Sequence, residues 1–99
     1  MSHALELPPV LDLVAAPLLY ETFTSRRGAA LALDARAVQR LGGQCLQVLL
    51  AARAAWAADG VALALKNPSA DFTAALALMG ARPEDLQNSA GQDGEEQKA

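Results

Sequence analysis

The chain has 99 residues, a length typical of one small domain, and 53% of them are apolar. Its formal net charge is −3, and its eight Lys and Arg residues are scattered instead of clustered, which argues against a nucleic-acid binder. No apolar stretch reaches the roughly 18 to 20 residues of a membrane span. A lone cysteine, Cys45, excludes an internal disulfide. We therefore expect a cytoplasmic protein with one core.

The first part of the chain predicts a strand, a turn and a helix. HALEL at 3–7 alternates and stops at Pro8-Pro9, as a short strand before a turn does. VLDL at 10–13 fits either a second short strand or the lead-in to a helix. The first helix is predicted from Val14 to Ser25, where apolar residues recur at helical spacing. The recurring residues are Ala15, Leu18, Leu19 and Phe23, and Arg26-Arg27-Gly28 supplies a basic, glycine-ended finish.

The middle of the chain predicts a strand–helix–strand unit. ALAL at 30–33 and VALAL at 61–65 are short and uniformly apolar, which indicates strands covered on both faces. A helix is predicted between them, from about Gly43 to Ala58. Such a unit is nearly always parallel and right-handed. The predicted buried stripe of this helix is Cys45, Leu49, Ala52 and Trp56, widened by Leu46 and Leu50.

The last part of the chain predicts a third helix and a tail. Ser69 is placed to cap the helix, which Gly80 ends, and 83–86 fits one more helical turn. The folded domain is expected over 1–87. Residues 88–99 are polar and acidic, and they are predicted to be disordered. The predicted buried side of the third helix is Phe72, Leu76 and Met79.

Three pieces of the chain carry a resemblance to a known family: LALDARAV, then LGGQCLQVLLAA, then VALALKNPSADFTAALALMGA. Over about 3–87 their order and spacing resemble the STAS domains of sulfate transporters and bacterial anti-sigma-factor antagonists. The chain looks closest to a compact subgroup that includes the STAS subunit of the bacterial lipid-asymmetry transport system and stand-alone proteins encoded beside chemotaxis genes. The resemblance implies an α/β fold, with a mixed sheet of about four strands and helices packed mainly on one face.

The resemblance also exposes a departure. The family carries an Asp-Ser-Ser-Gly motif at the start of a helix, and a partner kinase phosphorylates its first serine. Aligned to that motif, Gly42 takes the place of the Asp, Gly43 that of the phosphorylated serine, and Gln44 that of the next serine. Glycine cannot accept a phosphoryl group. The resemblance therefore implies a retained docking surface without the phosphorylation switch.

The glycine pair itself has three interpretations. A helix start with bare amides can bind an anion, but a phosphate-binding loop also needs Lys and Ser/Thr, and this segment offers Arg40 and Gln44. Alternatively, the glycines serve a tight turn. We prefer the third interpretation, in which they leave the helix start open to a partner protein. The predicted partner-binding residues are Arg40, Gly42, Gly43, Gln44, Gln47 and Ala51.

The helix face beyond the glycines supports that preference. Gln44 and Gln47 share it with Ala51, Ala54 and Ala58, and a helix face so poor in charge suggests a contact surface. The alternative is that these alanines are merely good helix formers.

Catalysis is not expected from this sequence. Asp34 ends a strand, and we expect it to fix the following loop by accepting backbone hydrogen bonds. The sequence contains no paired carboxylates, no metal-ligand spacing and no supported Ser/His/Asp arrangement, so no metal or cofactor is predicted. We predict a non-enzymatic adaptor that binds a chemotaxis-type histidine kinase or an anti-sigma-factor kinase. One alternative is a STAS subunit that holds the ATPase of a lipid ABC transporter, and a second is a small nucleotide-binding domain.

Overall fold

The computed structural model describes residues 3–88 as an α/β fold. The α/β fold class and the helices beside a small sheet are as the resemblance implied, and the fold prediction is confirmed. The elements are β1 (His3–Glu6), β2 (Val10–Leu11), α1 (Ala16–Ser25), β3 (Leu31–Asp34), β4 (Arg40–Leu41), α2 (Gly43–Asp59), β5 (Leu63–Lys66), α3 (Ala70–Leu78) and a short 3-10 helix (Pro83–Leu86).

The strands form two small sheets. The larger has three strands in the order β1-β3-β5, and the smaller pairs β2 with β4. All three ladders are parallel, and antiparallel pairing enters as an isolated bridge between Leu63 and Asn88. The strand count differs from the expected four because β4, predicted as loop, pairs with β2. A two-residue strand is too short to display the alternation by which strands are predicted.

The helices cover one face of the larger sheet. In β3 and β5 the leucines are buried and the alanines between them are half-buried, so the second face is covered less than the sequence suggested. Alanine is apolar at any exposure, so the alanines on the second face made these strands look covered on both faces. Lys66 at the end of β5 is exposed.

Helix α1 starts two residues later than predicted. One carboxylate oxygen of Asp12 accepts the N–H groups of Val14 and Ala15, each at 3.1 Å, and this turn precedes the helix. Leu19 and Phe23 are buried as predicted. Leu18 was placed on the same side, but it is 67% exposed.

Helix α2 has the predicted buried stripe. Cys45, Leu49 and Trp56 are fully buried, and Ala52 and Leu46 are nearly so. The Trp56 indole N–H donates to the Ala29 carbonyl oxygen at 2.8 Å. The helix ends at Gly60, whose φ of 73° is the left-handed conformation that favours glycine. Among residues 3–88, no helix is long and apolar enough to cross a membrane.

Helix α3 begins at the predicted cap. The Ser69 hydroxyl oxygen accepts the Phe72 N–H at 3.0 Å, and Phe72 and Leu76 are buried. The placement of Met79 on this buried side is wrong: the helix ends at Leu78, and Met79 follows it with 38% exposure.

The described chain closes against β5. The helical turn predicted at 83–86 is present as the short 3-10 helix, and Leu86 is buried. Asn88, which begins the predicted tail, exchanges backbone hydrogen bonds with Leu63. The remainder of that tail, 89–99, lies outside the described residues.

Candidate functional site

The predicted site lies at the corner where β4 leads into α2. Gly42 is the residue before the helix and has an extended backbone, with φ −100° and ψ 169°. Its N–H donates to the Leu11 carbonyl oxygen at 2.8 Å, and its own carbonyl oxygen accepts the Leu46 N–H at 3.1 Å. These two bonds fix the corner between β2 and the first turn of α2. The Gly42 amide is therefore occupied within the chain, which leaves the proposed phosphate cradle without one of its donors.

The fold does not require glycine at either position of the pair. A Cβ added to Gly42 would lie 3.6 Å from the Leu11 carbonyl oxygen, and one added to Gly43 would lie 4.0 Å from the Met79 sulfur. Both distances are ordinary van der Waals contacts. Neither residue has a positive φ, whereas Gly28 and Gly60 have φ values of 96° and 73°. A tight turn thus gives no reason for the glycines at 42 and 43.

The predicted partner-binding residues lie together at the surface. Arg40, Gly43, Gln44, Gln47 and Ala51 are exposed, and Gly42 is half-buried. The spacing from Gln44 through Gln47 and Ala51 continues along one side of the helix to two further exposed alanines. We call this side the α2 surface, and it consists of Gly43, Gln44, Gln47, Ala51, Ala54 and Ala58.

The α2 surface carries no charge of its own. The charged residues of this helix are Arg53 and Asp59, and both bind other parts of the chain. Arg53 donates from Nε to the Gln87 carbonyl oxygen at 2.8 Å, and Asp59 forms a two-bond ion pair with Arg27 at 2.7 and 2.9 Å. Among residues 3–88, no side chain caps the start of α2, and its first turn contains no acid, so within this part of the chain its first amides lack a side-chain partner.

Exposed apolar side chains flank this corner on two sides. Met79 lies next to Gly43, and its neighbour Leu78 is 88% exposed. On the other side, the Cys45 thiol donates to the Asp12 carbonyl oxygen at 3.3 Å, which holds Asp12 against the first turn of α2. The next two residues, Leu13 and Val14, are 68% and 80% exposed. We call Leu13, Val14, Leu78 and Met79 the apolar rim.

Sequence reasoning missed the apolar rim. Met79 follows Leu76 at helical spacing and was therefore assigned to the core. Leu13 was assigned either to a second short strand or to the lead-in of the first helix, and Val14 was predicted to be the first residue of that helix. A run of apolar residues predicts burial, but it does not show which of those residues the neighbouring elements cover. The exposure of these four side chains could therefore be recognised only from the tertiary structure.

Asp34 has the structural role expected of it. Its Oδ1 accepts the Arg36 backbone N–H at 3.0 Å and lies 3.4 Å from the Asn67 amide nitrogen, while Arg36 Nε approaches Oδ2 at 3.2 Å. The Arg36 backbone hydrogen bond, with help from Asn67 and the guanidinium, holds the pKa of Asp34 below its ordinary value. Within 3–88, no three or more His, Cys, Asp and Glu side chains are grouped as a metal site.

Comparison with known proteins yields a family match. A family model described as Mlab, STAS domain, matches residues 2–83, from β1 to the start of the 3-10 helix. No curated protein and no solved structure matches the chain.

Proposed function

The chain belongs to the STAS domain family, whose model matches residues 2–83, and on this premise we propose that it is a non-enzymatic adaptor that binds a signalling protein through the start of α2. STAS domains generally mediate protein–protein interactions, so an adaptor or regulatory role follows from the family. The proposed partner is a chemotaxis-type histidine kinase or an anti-sigma-factor kinase in the cytoplasm.

The observation that carries the proposal is the glycine pair at an open corner. Neither Gly42 nor Gly43 is needed for the chain's own conformation or for its own packing space. A missing side chain at Gly43 does, however, let another polypeptide come close to the amides of the first helical turn. The uncharged α2 surface and the apolar rim continue the contact area on either side. A partner's backbone and apolar side chains fit this combination.

The adaptor is proposed to work without phosphorylation of the corner. Gly43 occupies the position of the family's phosphorylated serine, and residues 39–45 contain no hydroxyl side chain. The nearby Ser69 hydroxyl is already engaged, because it donates to the Val38 carbonyl oxygen at 2.6 Å while capping α3. Incubation with candidate kinases and labelled ATP should leave 39–45 unlabelled, and label on that segment would contradict the proposal.

The binding test compares two disruptive variants with two controls. Gly43→Glu places a bulky acid on the open helix start, and Gln47→Arg places a charge on the α2 surface. Both should leave the fold intact, since an acid in the first turn favours the helix dipole and both positions are exposed. The controls are Gly43→Ala, which tests the fold, and Ser25→Arg, which adds charge at the exposed end of α1.

The readout is the dissociation constant for each purified candidate kinase by calorimetry. Wild type and Ser25→Arg should bind alike, while Gly43→Glu and Gln47→Arg should bind at least about tenfold more weakly, a loss of ~1.4 kcal/mol. Binding that persists in both disruptive variants, with an intact circular dichroism spectrum, would end the assignment of this surface.

A second candidate is a transporter subunit that holds an ATPase through the same surface. The observation that favours it is the name Mlab in the description of the matching family model, together with the resemblance to the STAS subunit of the lipid-asymmetry system. Under this candidate, a transporter ATPase and not a kinase should co-purify with the tagged chain. The variants at 43 and 47 should then reduce recovery of the ATPase.

A further inference from the structure

The two edges of the three-stranded sheet differ. At the β5 edge, Leu63 and Asn88 exchange backbone hydrogen bonds at 3.0 and 2.8 Å, and the Leu65 N–H donates to the Gln87 side-chain oxygen at 2.9 Å. That edge is sealed by the chain itself. At the other edge, β1 pairs with β3 on its inner side, and within 3–88 no strand pairs with its outer side.

The outer side of β1 presents hydrogen-bonding groups in a defined order. The Leu7 N–H donates inward to the Asp34 carbonyl oxygen at 2.9 Å. Successive residues of a strand in a parallel sheet direct their backbone groups to opposite sides. Ala4 and Glu6, which are exposed, therefore direct their N–H and C=O groups outward. The extended backbone of an added strand can form hydrogen bonds with these outward N–H and C=O groups.

An apolar groove runs beside this open edge. It lies between β1 and α1, has a volume of ≈ 190 Å³, and is open to solvent. A water molecule in the liquid occupies roughly 30 Å³, so the groove has room for at least one aliphatic side chain. It occupies the place where the inward-facing side chains of an added strand would fall. We call it the edge groove, and its main apolar lining is Leu5, Leu7, Leu11, Ala15, Leu18 and Leu19.

The charge at the edge groove selects the occupant. Glu6 borders the groove through β1, and its side chain lies on the opposite face of the strand from Leu5 and Leu7, because successive side chains of a strand alternate. Exposed Glu21 is a second acid on α1. Among residues 3–88, no Lys or Arg lines the groove. We infer that β1 accepts an added strand from a partner protein, in the form of an extended segment that alternates apolar and basic residues. The apolar side chains enter the edge groove, and a basic side chain on the opposite face pairs with Glu6.

A second copy of this chain fits the edge less well. The β1 sequence HALE brings another Glu and no Lys or Arg, and the whole chain has a net charge of −3. Self-pairing would bring like charges together and leave Glu6 without a cation. This surface shares no residue with the α2 surface, so the inference stands independently of the proposed function.

Amide hydrogen exchange with a defined probe tests the inference. In the free protein, the Ala4 and Glu6 amides should exchange faster than those of Leu5 and Leu7. A blocked six-residue peptide of alternating valine and lysine, at about 1 mM, should slow exchange at Ala4 and Glu6 and shift the Leu18 methyl resonances. The matched peptide of alternating valine and glutamate should have a markedly smaller effect.

Two variants localise the binding. Ala4→Pro removes an outward N–H without touching a β1–β3 bond, and Leu18→Gln places an uncharged polar amide in the wall of the edge groove. Each should weaken binding of the lysine peptide about tenfold or more, whereas the matched change Leu78→Gln, at an exposed position of α3 outside the groove, should not. Absence of protection at Ala4 and Glu6, equal binding of both peptides, or indifference to Ala4→Pro would overturn the inference. Protection that rises with protein concentration alone would replace the partner segment by a second copy.

Discussion

Replacement of Ser69 by alanine should destabilise the protein through two separate hydrogen bonds. The hydroxyl oxygen caps α3 by accepting the Phe72 N–H at 3.0 Å, and the hydroxyl group donates to the Val38 carbonyl oxygen at 2.6 Å. Loss of an N-terminal cap costs about 1 kcal/mol. Loss of the donor to Val38 adds about 1 kcal/mol, since Ser69 is half-buried and that carbonyl oxygen loses a partner.

The expected total for Ser69→Ala is therefore ~2 kcal/mol of unfolding free energy. In a domain of this size that corresponds to a fall in Tm of roughly 8 to 16 °C. Urea unfolding followed by the fluorescence of Trp56, which is fully buried, measures the change. Thr73→Ala removes a hydroxyl from an exposed position of the same helix, and it should stay within about 0.5 kcal/mol of wild type.

Ser69→Thr tests whether the two hydrogen bonds, and not the size of the side chain, account for the loss of stability in Ser69→Ala. A threonine hydroxyl can cap the helix and donate to Val38, so this variant should retain most of the stability. The reasoning is refuted if Ser69→Ala and Thr73→Ala lose the same small amount. It is also refuted if Ser69→Thr is as unstable as Ser69→Ala.

Three further predictions concern single positions. The Arg27 guanidinium lowers the pKa of Asp59, so the stability lost in Arg27→Ala should be largest above about pH 5 and should shrink as the pH falls toward about 2. Urea unfolding midpoints of wild type and variant that differ equally across this pH range would contradict the prediction. Burial raises the pKa of the Cys45 thiol, so iodoacetamide should modify it far more slowly in the native protein than in urea, and equal rates would place the thiol at the surface. Gly60→Ala should cost about 1 kcal/mol of unfolding free energy, because φ is positive at that position. Gly43→Ala should be neutral or should stabilise α2 by up to about 1 kcal/mol. A loss of stability in Gly43→Ala as large as that in Gly60→Ala would mean that the fold needs the glycine at position 43.

The sequence revealed those parts of the fold that repeat a pattern over enough residues. Helix α2 has 17 residues, and its buried positions recur along several turns, so its inner face could be read before the structure. The strands β3 and β5 were placed by apolar runs beside turn residues. The strand β4 was missed because its two residues acquire their conformation from pairing with β2, a partner that is distant in the chain.

The candidate site likewise contains residues that could be identified from the sequence and residues that could not. Gly42, Gly43, Gln44 and Gln47 were singled out by what they lack, namely charge and side-chain bulk, and this property is visible in the sequence. In the structure Gly43, Gln44 and Gln47 are exposed and Gly42 is half-buried, while the role of all four in binding stays a prediction. The apolar rim was not anticipated, because the exposure of Met79 depends on where neighbouring elements stop covering it.

The sealed edge at β5 also limits how copies of the molecule can assemble. A sheet with two open edges can join head to tail without end and grow into a filament. Here the pairing of Leu63 with Asn88 and the bond from Leu65 to the Gln87 side chain close one side, so a strand docked on β1 terminates growth. Gln87 and Asn88, the last two described residues, therefore occupy the edge through which copies of the sheet could otherwise polymerise.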